Sequence, residues 1–432
     1  MEEEKFDVVV VGAGPAGLAA AYTLTKAGLQ VLVFERGEYP GSKNVMGGIL
    51  YRQPTEAVIP GFWKEAPVER PIVEQRVWML TKDAAISLGY KSERLAQEPY
   101  NSFTVLRAKF DRWFAGKVEE AGAFILTDTV VEGLLRENGK VVGVRTGRED
   151  GDIRADVVIA ADGVNSLIAR DAGLHAELKP EHVALAVKEV IALPKEKIED
   201  RFNLDPGQGA TIELIGEATG RMLGTAFIYT NKESLSVGVG AITSEFVASG
   251  IKPYELIEQL KNHPAVRPLL VGGEVKEYMA HLIPEGGYKA IPKLYTDGLL
   301  VVGDAAMMVN SLHREGSNLA LTSGMLAAEA VIKAKEKGDF SAQSLSLYQR
   351  LLQNSFVIKD LMKYKDATHY LEKHRELFTV YPEMMSDAAY EMFAVDSVPK
   401  GDKQKQIFKM IRGRRPLLRL ARDLFDGWRA IS

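Results

Sequence analysis

The chain has 432 residues, of which 46% are hydrophobic and 26% charged, and this composition excludes a globally disordered protein. The formal net charge is −4, and the absence of cysteine excludes disulfides, a CxxC redox motif and any iron–sulfur cluster ligated by cysteines of this chain. A chain of this length is expected to form more than one domain.

The N-terminal stretch predicts a nucleotide-binding βαβ unit. Residues 7–11 form a β-branched run typical of a buried parallel strand, residues 18–27 a helix, and residues 30–34 a second strand. Glu35 follows that strand, where an acid would accept hydrogen bonds from an adenosine ribose. Three glycines stand at GxGxxG spacing after the first strand, namely Gly12, Gly14 and Gly17. They predict a tight turn, close approach to a pyrophosphate and close packing of the helix on the strand.

Residues 8–25 carry no charge and could be mistaken for a membrane span. They contain the three glycines and Pro15, and they follow the acidic start MEEEK, where a signal peptide would need basic residues. We therefore expect a cytoplasmic chain without a transmembrane helix.

The rest of the chain predicts a second domain inserted into the first. Buried strands of the nucleotide-binding type begin near residues 7, 31 and 299, and no second GxGxxG occurs, which favours one long cofactor. Antiparallel strands are predicted between residues 184 and 242, and helices beyond residue 340. The predicted boundaries are 1–50, 100–175 and 285–340 for the nucleotide domain, 51–99 and 176–284 for the insert, and 341–432 for the helical region.

Four motifs resemble the FAD-dependent enzymes of the aromatic-hydroxylase and geranylgeranyl-reductase fold. They are GAGPAG with its Glu35–Arg36 pair, LRAKFDRWF around Arg107, ADGVNS at 161–166 and GDAA at 303–306. Three longer stretches are most similar to the short, FixC type of electron-transfer-flavoprotein:quinone oxidoreductase: GSKNVMGGILY (41–51), AHLIPEGGYKAIPKL (280–294) and GDAAMMVNSLHREGSNLALTSGMLAAEA (303–330). The long form of that family carries an iron–sulfur cluster on C-terminal cysteines, from which this chain departs.

The resemblance implies an α/β fold with a Rossmann-like FAD-binding domain, an inserted antiparallel-sheet (α+β) substrate or quinone domain and a helical C-terminal region. By that likeness Glu35 would hold the adenosine ribose and Asp304 the ribityl chain, Arg107 would lie near the flavin linker, and Asp162 and Gly163 near the pyrophosphate. The residues expected to bind FAD are Gly12, Gly14, Pro15, Ala16, Gly17, Glu35, Arg36, Gly47, Gly48, Arg107, Val131, Asp162, Gly163, Gly303, Asp304, Gly316, Ser317 and Asn318.

The segment at residues 316–318 begins a helix after the GD turn, so its N–H groups would point at a ligand over the sheet. For a flavin that would be the pyrimidine edge, where negative charge collects on reduction. The alternative is a plain N-cap by Ser317 or Asn318, which needs no ligand.

Three residues are candidates for a direct role in electron or proton transfer. His313 and Arg314 would form part of a route to a quinone, or else belong to a solvated charged loop. Lys43 comes close to the flavin ring by family likeness, although a lone lysine in a loop is usually solvated. Seven scattered histidines show no metal-ligand spacing, so no metal site is predicted.

The C-terminal stretch is strongly basic. Residues 403–432 hold nine Lys or Arg against two Asp, a local charge of +7. Apolar residues from Leu417 to Trp428 fall on one helical face. Three readings stay open: a helix on an anionic membrane surface, a helix docked on an acidic partner subunit, and a helix packed on its own domain. No recognition motif for nucleic acid accompanies the basic residues.

The function implied by the resemblance is electron transfer through FAD. Electrons would come from an electron-transfer flavoprotein, directly or through a ferredoxin-like iron–sulfur subunit, and would reduce a membrane quinone (ubiquinone or menaquinone) at the cytoplasmic face, with peripheral attachment. The alternatives are a stand-alone flavin monooxygenase or geranylgeranyl-type prenyl reductase, and a flavin-containing scaffold subunit without independent turnover.

Overall fold

The computed structural model describes residues 5–44 and 47–431. Val45 and Met46 of the GSKNVMGGILY stretch lie outside the described residues, as do the first four residues of the acidic start. The chain divides into two compact units. The first comprises Met1–Arg70, Pro99–Val183 and Leu282–Met362, and the second comprises Pro71–Glu98, Ala184–His281 and Lys363–Ser432. The functional boundaries predicted from the sequence stay a prediction.

The strands of the described chain are rich in apolar and β-branched residues, the types that fit a pleated and partly buried surface. In chain order they are β1 (Lys5–Val11), β2 (Val31–Phe34), β3 (Gly47–Tyr51), β4 (Val68–Leu80), β5 (Ala85–Lys91), β6 (Ser102–Leu106), β7 (Phe124–Leu126), β8 (Val131–Glu137), β9 (Lys140–Thr146), β10 (Asp152–Ala160), β11 (Val183–Ala192), β12 (Gly209–Gly216), β13 (Gly224–Thr230), β14 (Ser234–Ile242), β15 (Glu274–Pro284), β16 (Tyr295–Thr296) and β17 (Leu299–Val301).

The helices follow the same chain order. They are α1 (Pro15–Lys26), α2 (Arg52–Glu56), α3 (Arg107–Glu120), α4 (Leu167–Asp171), α5 (Lys195–Phe202), α6 (Thr243–Ser249), α7 (Pro253–Asn262), α8 (Arg267–Leu270), α9 (Ser317–Lys337), α10 (Ala342–Leu345), α11 (Leu347–Asn354), α12 (Phe356–Lys363), α13 (Ala367–Lys373), α14 (Val380–Phe393), α15 (Lys400–Arg414) and α16 (Leu417–Ile431). The prediction of helices beyond residue 340 is therefore confirmed.

The first unit is built on a sheet in the order β16-β17-β10-β1-β2-β7, with β8 and β9 continuing from β10. Strand β1 lies parallel to both β10 and β2, and β10 lies parallel to β17. Val8, Val9 and Val10 are completely buried, which accounts for the unbroken apolar run, because a central parallel strand is covered on both faces. The parallel arrangement brings the carboxyl ends of these strands to one edge of the sheet.

Helices α1 and α9 pack against each other at unusually close range. A Cβ atom at Gly324 of α9 would lie 2.0 Å from the carbonyl oxygen of Ala16, and one at Gly17 of α1 would lie 1.9 Å from the carbonyl oxygen of Gly12. Contacts this short involve backbone, which cannot move aside as a flexible side chain can. The glycines therefore set the spacing of the two helices on the sheet.

Replacing Gly324 with alanine is expected to lower the free energy of unfolding by about 1–3 kcal/mol, because the added methyl group overpacks the α1–α9 contact. Gly116 in α3 is the matched control, since its Cβ would meet no heavy atom within 4 Å. Gly116→Ala is expected to raise stability by about 0.5–1 kcal/mol through helix propensity. Chemical denaturation compares the two variants, and equal effects would contradict the packing argument.

The second unit contains an antiparallel sheet in the order β15-β11-β14-β13-β12-β4, with β5 on β4. Strands β11, β14, β13 and β12 pair antiparallel in that order, β12 pairs parallel with β4, and β5 pairs antiparallel with β4. Alternate residues such as Ile212, Ile228 and Val237 are completely buried in an apolar core with α7. The predicted fold class, an α/β nucleotide-binding part with an antiparallel-sheet insert and a helical C-terminal region, is confirmed.

Candidate functional site

The loops at the carboxyl edge of the first sheet are joined by backbone hydrogen bonds. The Gly12 N–H donates to the carbonyl of Phe34 at 2.8 Å, and the Ala161 N–H donates to the carbonyl of Val11 at 2.9 Å. Gly12 has a φ of +105°, and a Cβ there would lie 2.4 Å from the Ala161 carbonyl oxygen. This position therefore requires glycine, and the turn after β1 is held against the turn after β10.

Helix α1 begins with an uncapped N-terminus. Gly14 is the N-cap residue, Pro15 occupies the first helical position, and no side chain caps the helix. The helix has no acidic residue in its first turn, so its dipole is not neutralised there by the chain's own carboxylate. A Cβ at Gly14 would meet no protein atom within 4 Å. The free N–H groups and the open space in front of them suit a phosphate.

Glu35, at the end of β2, organises the turn after β1. Its Oε2 accepts from the Ala13 N–H at 3.1 Å and its Oε1 accepts from the Gly37 N–H at 2.7 Å. A carboxylate offers about four acceptor positions, so both oxygens retain capacity for a ligand hydroxyl. Arg36, the next residue, is exposed.

Arg107 forms a buried ion pair at the start of α3. Its Nε and Nη2 atoms donate to the two carboxylate oxygens of Asp111, each at 2.8 Å, and its Nη1 donates to the Ser317 hydroxyl at 3.3 Å. Burial alone would lower the pKa of Arg107, but Asp111 outweighs it and, with a smaller contribution from Asp304, holds that pKa above its usual value. Arg107 therefore connects α3 with the N-terminus of α9.

Gly47 and Gly48 lie beside this arginine. They belong to β3, which pairs antiparallel with β6 so that Gly47 stands opposite Leu106 and Gly48 opposite Val105. Val131 opens β8, where it is buried in the apolar core of the unit. The two glycines therefore lie on the strand that pairs with the residues directly before Arg107. Val131, in contrast, packs in the apolar core.

The turn after β10 carries a buried acid. Oδ2 of Asp162 accepts from the Ile168 N–H at 2.9 Å, whereas its Oδ1 has no hydrogen-bond partner in the described chain. Burial raises the pKa of Asp162. Gly163 follows with a φ of +75°. The Ser166 hydroxyl, fully buried, donates to the Ala305 carbonyl at 3.1 Å and so ties this turn to the GDAA turn.

The GDAA turn after β17 packs directly on α1 and α9. The Gly303 N–H donates to the Ser323 hydroxyl oxygen at 3.0 Å, and a Cβ at Gly303 would lie 2.8 Å from the Ala16 side chain. Asp304 stands close enough to Arg107 to raise its pKa. Gly316 is the N-cap of α9, and no side chain caps that helix. The alternative of capping by Ser317 or Asn318 is therefore wrong for the described structure.

Five buried polar atoms of these loops have no hydrogen-bond partner within the described chain, although buried polar groups are normally satisfied. They are Ser42 Oγ, Asp162 Oδ1, Asn310 Nδ2, Ser311 Oγ and Asn318 Oδ1. Together with two uncapped helix N-termini and the carboxylate of Glu35, they supply donors and acceptors for phosphate, ribose and an isoalloxazine edge. This donor set fits FAD.

The three candidate transfer residues lie at the surface. Residues 310–315 form a closed loop in which Asn310 and Glu315 exchange backbone hydrogen bonds of 2.8 and 3.1 Å. His313 and Arg314 are exposed at the tip of this loop, and Lys43 is exposed as well. Their predicted roles stay predictions.

Sequence reasoning missed three residues that the structure places in this region. Asp111 could have been identified from the sequence, because it stands four residues after Arg107 on a helix, the spacing at which opposite charges meet. Ser42 and Glu285 occur within motifs that were recognised as wholes, but nothing in the local pattern distinguishes them, because their burial depends on segments distant in the chain.

Comparison with known proteins identifies the family. A model described as an FAD binding domain matches residues 5–201, and one described as the ETF-QO/FixC family C-terminal domain matches residues 367–432. Protein FixC of Azorhizobium caulinodans is 50% identical over 433 residues, covering all of both chains. The chain belongs to the FixC family. The resemblance predicted from the motifs is confirmed.

Other relatives agree with this assignment. Protein FixC of Bradyrhizobium diazoefficiens is 52% identical over 412 residues, covering 95% of each chain. The probable electron transfer flavoprotein-quinone oxidoreductase YdiS of Escherichia coli is 41% identical over 429 residues, covering 99% of this chain and 98% of that protein. This FixC-family chain is an FAD-dependent oxidoreductase of the electron-transfer type.

A solved structure supports the fold alone. A geranylgeranyl bacteriochlorophyll reductase-like protein of Thermoplasma acidophilum superposes with a TM-score of 0.72 at 24% identity, covering 96% of this chain and 97% of the other. FAD, when bound, supplies the electron-transfer chemistry. The groups of the FixC-family chain that would hold the cofactor are the backbone N–H groups at the helix N-termini, the buried Arg107–Asp111 pair and the amide and carboxylate groups described above.

Proposed function

We propose that this chain passes electrons from an electron-transfer flavoprotein, directly or through a ferredoxin-like iron–sulfur subunit, to a membrane quinone such as ubiquinone or menaquinone. The observation that carries the proposal is the match over nearly its whole length with a relative named as a probable electron transfer flavoprotein-quinone oxidoreductase. The chain has no cysteine, so an iron–sulfur cluster on cysteine ligands would have to belong to a partner.

Within the site we assign the pyrophosphate to the loop of Gly12, Gly14, Pro15, Ala16 and Gly17. The free N–H groups of α1 and the empty space before Gly14 support this assignment. Asp162 and Gly163 are assigned to the pyrophosphate as well. The remaining groups are assigned along the cofactor as follows: Glu35 and Arg36 to the adenosine side, Arg107, Gly303 and Asp304 to the linker and ribityl chain, and Gly47, Gly48, Gly316, Ser317 and Asn318 to the flavin.

The C-terminal helix supports a peripheral place at the cytoplasmic face of the membrane. Its inward side is polar, because the Asp423 carboxylate accepts from the Tyr381 hydroxyl at 2.7 Å and from Arg415 Nε at 2.7 Å. Its apolar residues point outward, with Leu418 88%, Leu424 75% and Trp428 68% exposed. The helix does pack on its own unit, where the Tyr370 hydroxyl also donates to the Asp423 carbonyl at 3.0 Å, but this packing leaves most of its apolar face exposed.

The basic residues of this helix favour an anionic membrane surface as the occupant of that apolar face. Arg419, Arg422 and Arg429 are exposed on α16, where they can meet lipid phosphates while the apolar side chains enter the interface. Among the described residues, no helix combines the length and apolar character needed to cross a bilayer.

The double substitution Leu418→Glu and Leu424→Glu is expected to weaken binding to vesicles containing anionic lipid at least tenfold. Withdrawing even one buried leucine costs roughly 1.5–3 kcal/mol of transfer free energy, and tenfold in affinity corresponds to about 1.4 kcal/mol. Gln404→Glu on exposed α15 is the control for added charge. Vesicle co-sedimentation measures the effect, and undiminished binding of the double variant would remove the membrane from the proposal.

The first experiment on function is anaerobic. The purified yellow protein is photoreduced and mixed with a short-chain quinone or with oxygen, and the oxidised form is separately offered NADH and NADPH. Fast reoxidation by quinone, with no direct reduction by either nucleotide, is the expected result. Rapid reduction by NADPH with an inert quinone would overturn the proposal in favour of a monooxygenase.

A further inference from the structure

Glu285 lies where the segment after β15 meets the loops of the cofactor site. Its backbone N–H donates to the carbonyl of His182 at 2.8 Å. The next residues form a tight turn, since a Cβ at Gly286 would lie 2.3 Å from the Ala290 side chain and Gly287 has a φ of +61°. Two glycines and a backbone hydrogen bond therefore fix the direction in which the Glu285 side chain leaves the chain.

The surroundings of this segment place it beside two of the cofactor loops. Leu282 and Ala290, which flank Glu285, pack with Val164 and Met307 in a small apolar cluster. Val164 directly follows the ADG turn and Met307 directly follows the GDAA turn. The carboxyl itself faces the hydroxyl of Ser311, in the loop that leads from GDAA to the N-terminus of α9.

Among the described residues, no cation contributes to the electrostatics of this carboxyl. Burial raises the pKa of Glu285 to about 7, and the nearby Ser311 hydroxyl lowers this pKa only in part. The contact between the carboxyl and the Ser311 hydroxyl does not have the geometry of a good hydrogen bond. The residue as a whole is half-buried. A glutamate with such a pKa changes its protonation state near neutral pH, unlike an ordinary surface acid.

The ionisable groups on the neighbouring elements do not act as counter-ions for the Glu285 carboxylate. The 310–315 loop carries His313, Arg314 and Glu315, and the segment before β11 carries Glu181 and His182. The ADG and GDAA turns carry Asp162 and Asp304, and Lys289 follows Glu285 in the same turn. None of these, and none of the other described charges, contributes to the pKa shift of Glu285. The carboxyl therefore responds mainly to its enclosure and to charge that arrives at the site with a ligand.

We propose that Glu285 is a redox-linked proton acceptor, which takes up a proton when the bound flavin is reduced. The Glu285 carboxylate forms an O–H bond with a proton from solvent, and no electron is gained or lost at Glu285. Negative charge on the reduced cofactor favours the protonated acid, and reoxidation returns the proton. This inference rests on the flavin placement proposed above, and its test needs no quinone.

The test measures proton uptake by the full-length, FAD-loaded protein during anaerobic photoreduction in weak buffer with a pH indicator. Near pH 7 the wild type is expected to bind more protons per FAD than the Glu285→Gln variant, by up to about half a proton, because a carboxyl with a pKa of about 7 is already half protonated before reduction. The difference is expected to grow as the pH is raised toward 8. Glu181→Gln is the matched control, because Glu181 is exposed next to His182, and it should behave as the wild type.

Equal proton uptake by the wild type and Glu285→Gln from pH 6 to 8 would overturn the inference. Should that variant not fold, redox difference infrared spectra of the wild type decide the question: a carboxyl signal that appears on reduction supports it, and the absence of any such signal overturns it. Failure of quinone to reoxidise the protein would instead contradict the proposed function, and would leave the proton measurement unaffected.

Discussion

Protein carrying Glu35→Ala is expected to lose FAD during purification, with affinity reduced at least about a hundredfold. Glu35 accepts hydrogen bonds from the N–H groups of Ala13 and Gly37 at 3.1 and 2.7 Å, and these bonds hold the turn in front of α1. Hydrogen bonds to a charged group contribute about 1.5–3 kcal/mol each, so without them FAD binding must also offset the cost of ordering the turn. A cost of about 3 kcal/mol corresponds to roughly a hundredfold in binding. The loss of any bond to the ribose adds to this effect.

The comparison for Glu35→Ala is Glu38→Ala, which removes an exposed acid three residues later and should leave the protein yellow. Glu35→Gln is expected to bind FAD with intermediate affinity, because the amide keeps one acceptor oxygen and turns a donor toward the second N–H group. Flavin absorbance after gel filtration and titration of the FAD-free protein measure the affinities. A fully yellow alanine variant with unchanged affinity would contradict the role of Glu35.

Removing Asp111 is expected to destabilise the chain more than any other single change considered. Arg107 and Asp111 are only 7% and 1% exposed, so Asp111→Leu leaves a guanidinium buried without its bidentate partner. Breaking a buried pair in this way costs about 3–5 kcal/mol. Denaturant unfolding with and without added FAD measures the loss and separates it from the stabilisation that a bound ligand provides.

A double variant distinguishes the unpaired charge from loss of packing. Arg107→Met combined with Asp111→Leu should recover most of the lost stability, because an apolar pair of similar volume leaves no buried charge. Glu120→Ala, which removes an exposed acid from the same helix, should unfold like the wild type. If the double variant is as unstable as Asp111→Leu, the buried charge is not the cause.

Local patterns were sufficient for much of the fold and for the outline of the site. The β-branched runs and the GxGxxG glycines predicted β1, α1 and β2, with α1 beginning at Pro15 rather than Leu18. That shift arises because proline is accommodated in a first helical turn, where its missing N–H costs nothing. The antiparallel insert was equally visible, since its strands alternate buried and polar residues over short distances.

The sequence by itself determined the cofactor class, the fold class and the family, because these depend on motifs whose residues are close together in the chain. Only the tertiary structure decided which carboxylates are buried and what they meet: Asp111 beside Arg107, and Glu285 beside Ser311. It also decided that the apolar face of α16 points outward, which helical periodicity alone could not determine. Burial and pKa result from all the atoms that surround a group, and most of those atoms come from residues remote in sequence.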